Sequence, residues 1–146
     1  MLEPIEVALE RLKIAYAMVS ATEPNYSEAL ALVRRAGDNC YVYDTTGGTL
    51  EEKVSAIQSE KKLAEVCTFR LVVKNIVLSK DQEYLRANAY DAIDAAKGAM
   101  EALDAQLLQA TRSTAPDAAA VKAAFGEAMD AYRVVAARTR EALRVA

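Results

Sequence analysis

Histidine and tryptophan are missing from this 146-residue chain, which has only five glycines, three prolines and two cysteines. Without an imidazole, every mechanism that relies on histidine as base, nucleophile or metal ligand is excluded. The shortage of glycine and proline removes the usual turn formers and leaves long uninterrupted elements. Long apolar runs are also lacking. The most apolar stretch, Leu63 to Leu78, is broken by Glu65, Arg70 and Lys74, so no membrane span is expected. Glu3, Glu6 and Glu10 stand where a secretory leader would carry a basic region and an apolar run, so the expected location is cytoplasmic. A basic excess is absent too: 18 Lys and Arg face 21 Asp and Glu, a net charge of -3. A nucleic-acid partner is not expected from that balance.

What is present points to helix. Hydrophobic residues make up 53% of the chain and charged residues 27%, which excludes disorder. Thirty residues are alanine, the strongest helix former. The length fits one domain, 1–146, with a single core. In the first segment Leu2, Ile5, Leu9, Leu12, Tyr16 and Val19 repeat at spacings of 3 and 4, one face of a helix. Val7, Ile14 and Met18 form a second apolar strip on its other side. After a turn at Thr22–Asn25, a second helix carries Tyr26, Leu30 and Val33 inward, and Gly37 is the expected stop. The segment 37–48, with Tyr41, Val42, Tyr43 and the Gly47–Gly48 pair, reads as an irregular loop.

Beyond the loop, Thr49 and Glu52 have the form of a capping box, and no glycine or proline occurs from there to Lys97. The start signal Ser79-Lys80-Asp81-Gln82 divides that run into a helix near 49–78 and another near 81–112. Residues 66–78 also alternate as a strand would; the helical flanks favour helix. The stripe Ala89, Ile93, Ala96, Met100, Leu103, Leu107, Ala110 follows without a fault. Thr114–Asp117 is a cap with proline in the first turn, and Val121, Phe125, Ala128, Tyr132, Val135, Thr139 and Ala142 make the last stripe. The expected fold is all-α: an up-and-down bundle of about five helices, three of them long, with the first two packed across it.

Three sets of residues bear on chemistry. Glu101 and Asp104 form an acidic pair, and Glu127 and Asp130 a second. This resembles the ExxE…ExxD signature of all-α nucleoside triphosphate pyrophosphohydrolases, over roughly the last third of the chain. That likeness implies a Mg²⁺-dependent enzyme, with Asp104 departing from the family's Glu. The stripes, however, turn these four carboxylates outward and apart. Asp44-Thr45-Thr46-Gly47-Gly48-Thr49 resembles, loosely, the aspartyl nucleophile loop of haloacid-dehalogenase-like phosphatases and P-type ATPases. The second acidic residue is missing there, and the helical sequence that follows cannot supply a parallel sheet. Cys40 and Cys67 lack CxxC spacing and read as buried thiols, with a disulfide as the alternative.

Tyr41, Tyr43 and Asp44 are the candidate partner-binding residues, because tyrosines on a polar loop offer rigid contact area with a hydrogen-bonding tip. Val7, Ile14 and Met18 are the candidate oligomer interface, since a helix with two apolar strips needs cover on two sides. The expectation is a non-enzymatic helical protein working through protein contacts: an adaptor, chaperone-like partner, inhibitor or assembly subunit, and a homodimer. No metal and no cofactor is expected. The alternatives are a ligand-binding or sensory bundle with a pocket of Tyr, Met and Cys, and the pyrophosphohydrolase-like enzyme.

Overall fold

A computed structural model of the chain describes residues 3–38, 73–74 and 76–146. Among them the regular elements are helical: α1, Glu3–Ser20; α2, Tyr26–Asp38; α3, Glu83–Arg112; and α4, Ala118–Val145. A single 3-10 turn at Lys80–Gln82 leads into α3. The all-α class holds. Four of the predicted five helices stand among the described residues, with α3 and α4 the long ones. The expected helix near 49–78 lies outside the described residues except at its end, as do residues 39–48 of the expected loop.

Local chemistry sets the helix ends. The Asn25 Oδ1 accepts the Glu28 N–H at 3.0 Å and so caps α2. The Asn25 N–H donates to the Met18 carbonyl at 3.1 Å, closing the end of α1 in the same turn. Asp117 caps α4, its Oδ1 accepting the Ala120 N–H at 3.0 Å. Pro116 therefore precedes the cap rather than sitting inside the first turn, which keeps Ser113 to Pro116 out of the helix. Before α3, the Gln82 side chain reaches back to the Ser79 N–H at 3.2 Å.

Two expected boundaries move. α2 does not stop at Gly37 but continues to Asp38, since a glycine inside a packed helix costs only about 1 kcal/mol. Val73 and Lys74 are helical, whereas Ile76 to Ser79 are neither helix nor strand, so the expected helix does not reach Leu78. The Ile76 carbonyl accepts from the Arg86 guanidinium on α3 instead of continuing a helical ladder. The Ile76 side chain is buried with Leu85 and Ala142.

The helices form a ring in which α1 touches α2 and α4, and α3 touches α2 and α4. Glu6 near the start of α1 pairs with Arg140 near the end of α4, and Tyr16 packs edge-on against Phe125. α1 and α4 therefore run antiparallel. The turn at residues 21–25 and the one at 113–117 make α1–α2 and α3–α4 antiparallel as well. The first two helices are thus full members of an up-down-up-down bundle rather than elements laid across it. They are short enough, 18 and 13 residues, to lie along α3 and α4.

The core is continuous through all four helices and rich in alanine. Every residue of the two long stripes is buried, from Ala89 to Ala110 and from Val121 to Ala142. On α1 the inner column is Ile5, Ala8, Leu12, Ala15 and Val19, while Leu9 and Tyr16, expected inside, flank it half-buried. Ala29 and Ala36 do the same for α2. A methyl side chain lets two helices approach closely, so alanine takes the positions nearest the bundle axis. The Tyr132 hydroxyl, fully buried, donates to the Ala36 carbonyl at 3.3 Å and ties α4 to α2 across the core.

Candidate interaction surface

With Ile5, Leu12 and Val19 inward, the turn of about 100° per residue carries Val7 and Ile14 to the back of α1, on the side toward α2. Val7 is 43% exposed and Ile14 45%. They stand two turns apart in one line. Met18 continues the line but is half-buried against the core, so its own chain already covers part of it. Leu32 on α2, also half-buried, borders the strip. Counting back from the Met18–Asn25 hydrogen bond puts Leu32 level with Arg11, between Val7 and Ile14.

Charged side chains frame this strip. Glu10 and Lys13 lie on its edge toward α4, Arg35 and Glu28 on the α2 edge. All four are exposed, and among the described residues none forms an ion pair within the chain. Some exposed charges elsewhere pair, and others among the described residues, such as Lys122 and Glu127, do not. The Arg34 guanidinium donates twice to Asp104, Nε to Oδ2 at 2.8 Å and Nη2 to Oδ1 at 3.3 Å, linking α2 to α3. That hydrogen bond first, and the charge of Asp104 second, raise the Arg34 pKa above its ordinary value. Arg133 pairs with Asp130 at 2.8 Å on α4, and Arg86 with Glu83 at 3.1 Å on α3.

The four carboxylates of the pyrophosphohydrolase-like signature do not converge. Glu101, Glu127 and Asp130 are exposed, and Asp104 is engaged by Arg34. Among the described residues no group of acidic or sulfur side chains is arranged to hold a metal ion. A groove of about 320 Å³ opens at the α3–α4 turn, lined by Gln106, Gln109, Ser113, Pro116, Asp117 and Val121. It shares no tyrosine, methionine or cysteine with the pocket expected of a sensory bundle.

Tyr41, Tyr43 and Asp44, the candidate loop contacts, lie outside the described residues, as do Cys40, Cys67 and the Asp44–Thr49 motif. Three other exposed apolar side chains escape a reading from sequence: Val77, 86% exposed, Tyr84 and Val134. Only Val77 leaves a signal there, being β-branched in a segment with strand alternation. Among the described residues no helix is long and apolar enough to cross a membrane. No protein-family model, curated protein or solved structure matches the chain.

Proposed function

We propose that this chain acts through contacts with other proteins rather than by catalysis, and that the back of α1 is its contact surface. The observation that carries the reading is the exposure of Val7 and Ile14 in one line on a helix whose opposite face is fully buried. Single exposed apolar residues are ordinary, but a line of them framed by charges has the layout of an interface with an apolar centre and a polar rim. Tyr41, Tyr43 and Asp44, outside the described residues and expected in a loop from sequence, belong to the same proposal as a second contact region.

Site-specific photo-crosslinking in the native host tests it. A benzophenone side chain at position 14 should give protein adducts, and the same group at exposed Lys122 on α4 should give none. Absence of any protein adduct at position 14 would overturn the reading.

A further inference from the structure

We draw no further inference here: the strongest candidate, the exposed line of Val7 and Ile14 on the back of α1, belongs to the surface already described, and nothing in the structure shows what covers it.

Discussion

Thr139 is the one buried polar residue of the core among the described residues, and its hydroxyl has no hydrogen-bond partner. Sequence periodicity treats it as an apolar stripe member, and in shape it is one. In chemistry it carries the desolvation of an unpaired hydroxyl. Thr139→Val keeps the branched shape and removes that group, so it should stabilise the fold by about 1–2 kcal/mol, seen as a higher urea midpoint. A loss of stability would mean that the hydroxyl is bonded after all. Side-chain size also misleads a reading of α1 from sequence. Hydrophobicity puts Leu9 and Tyr16 inside, yet Ala8 and Ala15 hold the inner column. A stripe drawn by hydrophobicity selects the largest side chains, whereas close helix contact selects the smallest. The Arg34–Asp104 pair is beyond reach for another reason: seventy residues separate its members, and no local pattern links them.

At the level of whole helices, α3 and α4 are legible in the sequence almost residue for residue, because each keeps its 3–4 alternation for about six turns. Their caps at Ser79–Gln82 and Asp117 carry local signals that packing does not override. The expected helix near 49–78 lacks such clarity at its end, where β-branched residues alternate and Ile76 packs at the foot of the bundle. Gly98 and Gly126, from sequence, mark either close helix approach or nothing at all. Among the described residues, a Cβ placed at either position meets no atom of another element within 4 Å. Their only effect is then on helix propensity. Gly98→Ala and Gly126→Ala should each stabilise by about 1 kcal/mol, and the double variant by nearly the sum, since they lie on different helices. Thermal unfolding followed by circular dichroism would show it; destabilisation by either would mean that something covers that helix face.

For the molecule as a whole, the main core joins α1 to α4, while Ile76, Leu85 and Ala142 form a separate cluster at the foot with Leu78, Leu143 and Val145 around it. Fewer buried contacts hold the foot, so it should open before the rest. Native-state hydrogen exchange should find lower protection around Leu85 and Ala142 than around Ile93–Leu107 and Phe125–Val135. Uniform protection along both long helices would contradict this. The ring order of the helices is not legible in the sequence, because stripes show that a face is buried without showing against which neighbour. The proposed contact strip is half legible: Val7 and Ile14 stand out in the sequence, but their place beside α2 appears only in the fold.

The contact between Tyr16 and Phe125, rings 5.8 Å apart and nearly perpendicular, also bears on how the chain reaches this shape. Two helical hairpins, α1–α2 and α3–α4, close over five-residue turns and need only local encounters. Joining them brings α1 to α4 and α2 to α3, contacts distant in sequence, as where Arg34 meets Asp104 across seventy positions. Loop closure over that distance is the slow event in a fold otherwise built from neighbours. Docking of the two hairpins, at Tyr16–Phe125 and at Arg34–Asp104 alike, is therefore the step expected to set the speed of folding, so truncating either contact should slow refolding in stopped-flow measurements.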